Sequence, residues 1–240
     1  MLQNPKGFCL ELLNFLNEQF PHLQNLVNVA LSVTIENRIK HTPMALQALG
    51  NVIKNYPGTE LQCIGFFPLL FNLLNIVHVP VQQGALNVIS IVIRNNECVN
   101  NIANSEIIGH LLLFLYSIQD CQMQTLQILY SLMATTKIVK ESMNKGAVIY
   151  LLDLFCNSPN PQIRETCAEL IARMSADKLV GPKICLLVGT FLPPIFSDAM
   201  RDSPQSSVNM FESAHEHPEL IWDQEGKDRV CAIVSRLRQE

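Results

Sequence analysis

The residues able to do chemistry crowd into one place, "HEHPELIWDQEGKDRV", residues 215–230. His215 and His217 stand two apart, a spacing that can chelate zinc from an extended segment. A zinc site needs three or four ligands with a supporting shell, and only Cys231 and the neighbouring acids are on offer. The pair therefore reads as two solvated histidines ahead of a helix, and no metal is expected. Eight cysteines, at 9, 63, 98, 121, 156, 167, 185 and 231, never form Cys-x-x-Cys. Most lie in apolar runs such as "GFCLELL" and "KICLLV", the pattern of small buried thiols in a reducing compartment. No Gly-x-Ser-x-Gly elbow, phosphate loop or His-Glu-x-x-His occurs. No constellation meets the geometric outline of an active site, so neither an enzyme nor a cofactor is expected.

The same stretch holds the only tryptophan, Trp222. Pro218 sets an extended entry, and Asp223 is placed to cap a helix starting near Gln224. Val230, Ile233, Val234 and Leu237 then recur at helical spacing. A large indole in a polar setting is worth burying, so Trp222 is expected to fold back as an anchor. Lys227, Arg229, Arg236 and Arg238 form the most basic patch, but Glu225, Asp228 and Glu240 interleave with them. That is a solvated helix face.

The elements that must carry these residues repeat. "ALQALGNVIKN" starts at Ala45, "ALNVISIVIRN" at Ala85, "TLQILYSLMAT" at Thr125 and "TCAELIARMSA" at Thr166. Apolar side chains fall at spacings of three and four in each, which makes one helix face. A second, more apolar helix follows each at constant offset: 66–74, 107–115, 147–155 and 187–196. Leu70, Leu111, Leu151 and Leu192 are equivalent, as are Leu74, Leu115, Phe155 and Phe196, and Leu73, Phe114, Leu154 and Ile195. "NYPGTE", "HVPVQQG" and "NSPNPQ" punctuate the units. An all-helical period of about 40 residues predicts an all-α, armadillo/HEAT-like right-handed α-solenoid. Residues 1–40 read as a helical pair of a preceding repeat, 41–200 as four repeats, 201–212 as a polar linker and 213–240 as the tryptophan segment with an amphipathic helix. Neither end carries a polar capping repeat, which suggests a piece of a longer chain.

Composition narrows the function. Charged residues make up 16% of 240 and the net charge is −4, which argues against electrostatic capture of nucleic acid. Leu61 to Ile93 has no charged residue, yet Pro68, Asn72, Asn75, His78, Pro80, Gln82, Gln83 and Asn87 interrupt it. Two buried helices explain it better than a membrane span. No secretory leader is visible and no Asn-x-Ser/Thr acceptor occurs, in keeping with a cytoplasmic protein.

"HPELIWD" resembles the Ile-Trp-Asn motif of the large J-domain endosomal proteins, the receptor-mediated endocytosis family of DnaJ co-chaperones. In that family, helical repeats are punctuated by segments of the form Pro-x-Leu-Ile-Trp-Asn. Pro218, Leu220, Ile221 and Trp222 match, and Asp223 stands where the family has Asn. The J domain itself is absent: His217-Pro218-Glu219 is not the His-Pro-Asp that recruits Hsp70. The resemblance implies a non-enzymatic scaffold segment on the cytosolic face of early endosomes, acting in membrane trafficking and cargo sorting. It implies as partners the sorting nexins of the retromer pathway, the actin-nucleating WASH machinery, and Hsp70 through a J domain outside this chain.

Solenoids dock partners along stacked helices. Three-residue spacing puts Leu69 with Asn72, His110 with Leu113, and Tyr150 with Asp153 on one face of the second helices; they either form a ladder lining a groove or, since these helices are nearly all apolar, are covered by neighbouring helices. The competing reading is an armadillo-type adaptor of nuclear transport, which grips linear peptides with Trp-Asn pairs. Here the repeat helices hold no Trp, and the counterparts of Asn72 are Leu113, Asp153 and Pro194.

Overall fold

The structure, a computed structural model, describes residues 2–24, 33–191 and 223–239, with backbone alone for 33–38. Among these residues every regular element is helical and no strand occurs. The elements are α1 (Pro5–Gln24), α2 (Val33–Asn55), α3 (Phe67–Asn72), α4 (Val79–Val92), α5 (Asn96–Ile102), α6 (Ile108–Phe114), α7 (Gln122–Leu132), α8 (Thr136–Asn144), α9 (Ala147–Asn157), α10 (Pro161–Ser175), α11 (Gly181–Gly189) and α12 (Gln224–Leu237). Short 3-10 turns at Glu60–Cys63, Leu73–Asn75 and Gln119–Cys121 tighten the links. Two compact units are present, Met1–Ile128 and Leu129–Glu240, and the boundary falls within α7.

Four prolines sit at helix starts, while Pro57 and Pro159 lie in the turns between helices. Pro68, Pro80, Pro161 and Pro182 occupy the first or second helical position of α3, α4, α10 and α11. A missing N–H is harmless there and the fixed φ is already helical. Asn95 and Asn160 cap α5 and α10 by accepting from the amides of Glu97 and Gln162. Two further prolines lie inside helices. Pro21 lies inside α1 and Pro43 inside α2, so α2 runs straight through the division read at residue 40.

The register of the repeat is also the register of the core. Leu70, Leu111, Leu151, Leu115 and Phe155 are wholly buried, and Leu74 nearly so. Polar contacts recur with the same step. Gln82 Nε2 donates to the Leu74 carbonyl at 2.8 Å, and Gln122 Nε2 to the Leu115 carbonyl at 2.9 Å. Thr125 and Thr166, each opening its segment, donate a hydroxyl one turn back to the carbonyls of Cys121 and Gln162. Leu192, Ile195 and Phe196 lie outside the described residues.

In the first unit α2 packs between α1 and α4, and α3 packs on α4 and α6. Gly84 is the close approach of this layer, because a Cβ there would press on Leu46 at 3.0 Å. In the second unit α9 is central, touched by α8, α10, α11 and α12. Every residue from Ala147 to Cys156 is buried. Gly146 starts α9 at φ 80°, in the left-handed region, which costs an L side chain but not glycine.

Candidate functional site

The sequence points to two places, the ladder and the tryptophan segment. In the first unit the ladder is partly open. Leu69 is buried, Asn72 is half-buried, and Leu113 is 44% exposed. Asn72 lines an open cleft of about 480 Å³ with Phe20, Leu23, Asn75 and Val77. His110 joins the row through Asn75, whose amide Nδ2 lies 2.6 Å from the imidazole Nδ1. Val77 at 85% and Val79 at 49% stand out into solvent beside this row.

In the second unit the matching pair is covered. Tyr150 is 3% exposed and Asp153 is 7%. Asp153 Oδ1 accepts from Asn157 Nδ2 at 2.8 Å. The cover includes α12, which packs on α9 with Gly226, Val230 and Val234 inward. These follow one another at four-residue steps, so one stripe of the helix is small and apolar, and α9 is buried on all sides. Spacing placed Tyr150 and Asp153 on one face; it could not show what lies against that face.

Pro218, Leu220, Ile221 and Trp222 lie outside the described residues, as do His215 and His217. Asp223 is described, and it is the N-cap of α12. Its Oδ1 accepts from the Gly226 amide at 2.7 Å, satisfying a donor that the first turn leaves unpaired. At the far end Leu237 reaches to 3.3 Å from where a Gly146 Cβ would be, so α12 meets the start of α9. Of the basic patch, Arg229, Arg236 and Arg238 are exposed and Lys227 is half-buried.

All eight cysteines are free thiols, six of them buried. Cys9, Cys63 and Cys98 gather around the 3-10 turn at Glu60. Cys9 Sγ donates to the Thr59 carbonyl at 3.5 Å and Cys98 Sγ to that of Glu60 at 3.6 Å. The hydrogen bond with Cys9 and burial both push the Cys63 thiol up, and burial raises Cys98 to about 11. Burial likewise raises Cys156 and Cys167. Thiols held protonated in this way are poor nucleophiles. Among the described residues no three His, Cys, Asp or Glu side chains are grouped to hold a metal ion, and no helix is long and apolar enough to cross a membrane.

Fold and surface together define the class: an all-helical repeat whose exposed features are grooves and polar rows. A crystal structure of an engineered protein superposes with a TM-score of 0.50 over 85% of this chain and 78% of that one, at 14% identity, a likeness of fold. In sequence the chain is similar to the DnaJ homolog subfamily C GRV2 of Arabidopsis thaliana, 25% identical over 195 residues. That alignment covers 77% of this chain and 8% of the relative, so the chain spans less than a tenth of that protein's length. No family model matches the sequence.

Proposed function

We propose that this chain is a non-enzymatic protein-interaction scaffold, a segment of a DnaJ-type co-chaperone that works on the cytosolic face of early endosomes in membrane trafficking and cargo sorting. One observation carries the reading: similarity to the DnaJ homolog subfamily C GRV2 runs through 77% of the chain, well beyond the few residues of the Ile-Trp-Asn-like motif. The physical character agrees. Six of the eight thiols are buried, and the open surfaces are shallow clefts of the sort that helical repeats use for docking. The sorting nexins of the retromer pathway and the WASH machinery are the proposed partners, with Hsp70 reached through a J domain elsewhere in the full protein.

The test is proximity labelling in cells with the full-length protein, with and without residues 1–240. Loss of retromer or WASH components on deletion, with the protein still on endosomes, supports the reading. An unchanged neighbour list refutes the scaffold role. Purified segment binding basic nuclear-import peptides would instead favour a transport adaptor.

A further inference from the structure

The 40-residue step puts like residues on neighbouring helices. Lys54 and Arg94 are both the tenth residue of their segments, "ALQALGNVIKN" and "ALNVISIVIRN", and the next two segments place Ala134 and Ser175 there. A pair of cations therefore occurs once, where α2 packs on α4. Lys54 is in the last turn of α2, and Arg94 follows α4. Both line one open cleft of about 230 Å³ with Ile53, Pro57, Ile91, Glu60 and Asn95. Each cation complements the negative end of its own helix, but that does not require the two to face one cleft.

Glu60 is the acid in the cleft wall, and neutral donors already hold it. Asn95 Nδ2 donates to one carboxylate oxygen at 2.8 Å and the Gly58 amide to the other at 2.7 Å. Neither Lys54 nor Arg94 is bonded to an acid among the described residues. The cleft thus presents two cations against one fixed carboxylate, over a floor of Ile53, Pro57 and Ile91. We infer that this cleft is a docking site for the anionic side chain of an acidic linear peptide, its charge taken by Lys54 and Arg94 and its apolar neighbours by the floor. The volume suits one side chain rather than a helix. The Arg94 guanidinium offers a fork matched to a carboxylate or phosphate. This rests on the scaffold reading only in taking a protein as the partner.

The experiment uses purified chain and fluorescence anisotropy with a labelled Leu-Glu-Leu-Glu-Leu peptide, its Leu-Gln-Leu-Gln-Leu counterpart and inorganic phosphate as competitor. Binding of the acidic peptide below about 1 mM is expected, weakening as salt rises. Lys54→Gln and Arg94→Gln should each weaken it roughly two- to fivefold, the range of partly exposed charge pairs. Glu60→Gln should strengthen it, because a like charge leaves the wall. Lys145→Gln, in the second unit, should change nothing. Equal binding of the Gln peptide, insensitivity to both substitutions, or no binding at that concentration overturns the inference. So does co-sedimentation with vesicles containing phosphatidylserine that Lys54→Gln abolishes while peptide binding is absent, which would make the cleft a membrane site. Failure here leaves the cellular labelling result untouched, so the two proposals fail separately.

Discussion

Replacing Val230 and Val234 together by Ala tests how α12 is held. Both are at most 3% exposed, with Gly226 one turn before them. Each substitution removes two carbons from the contact with the second unit. At about 0.8 kcal/mol per buried CH2 the pair loses roughly 3 kcal/mol, before any cavity term. A lone helix of 14 residues is marginal in water, so this contact decides whether α12 stays folded. Hydrogen exchange followed by mass spectrometry reads the result. Peptides within 224–237 should approach unprotected rates, and α9 around Tyr150 should exchange faster, while α1 to α6 keep their protection. Nitration of Tyr150, 3% exposed in the parent, should rise with them. Unchanged protection of α12, or loss of protection throughout the chain in one step, would refute the view of α12 as a separately held element.

Leu111→Ala and Leu151→Ala, at sites with no solvent exposure, should each cost about 2–5 kcal/mol, read by urea unfolding; parental midpoints for both would contradict the repeat register. Gly181→Ala should destabilise by about 1–3 kcal/mol, because a Cβ there would overlap the Ser175 carbonyl oxygen; a neutral effect in thermal melts would mean the backbone yields. Iodoacetamide at neutral pH should modify Cys231 first and Cys185 next, leaving the six buried thiols until unfolding, as peptide mapping would show. Burial pushes the Glu60 carboxyl up, but hydrogen bonds from Asn95, its own backbone amide and Gly58 outweigh it, so it sits below the ordinary carboxylate value. The same holds for Asp177, bonded by Thr136, Val180 and Leu179. A depressed carboxylate stabilises the fold above its unfolded pKa and loses that contribution as pH falls through the folded value. Stability should therefore drop below about pH 4, and less steeply in a Glu60→Gln/Asp177→Asn variant.

Periodicity revealed most of the fold, because burial in a helical repeat follows spacing along the chain. Leu70 and Leu111 in the first unit and Leu151 in the second were each readable as core for that reason. The short helices α5, "NECVNNI", and α8, "TKIVKESMN", were missed: each is polar on most positions and barely two turns long. Pro43 lies inside α2, which absorbs it without a break. Of the ladder, spacing fixed which residues share a face. It could not show that α12 lies over α9, since nothing in Gly226, Val230 and Val234 names the surface they meet. The cleft at Lys54 and Arg94 had a visible signal, equal position in successive segments, which becomes informative only once α2 and α4 are known to be neighbours.

The pairing of α9 with α12 also sets a schedule. α9 ends at Asn157 and α12 ends 80 residues later, at Leu237. At roughly 5–20 residues per second of synthesis, α9 emerges about 4 to 16 seconds before its cover is complete. The first unit closes its helices onto sequence neighbours and can settle as it leaves the ribosome. In the second unit α8, α10 and α11 can pack on α9 early, but the face that meets α12 must wait. A nascent chain stalled between residues 160 and 220 thus carries an α9 whose α12-facing side has no cover.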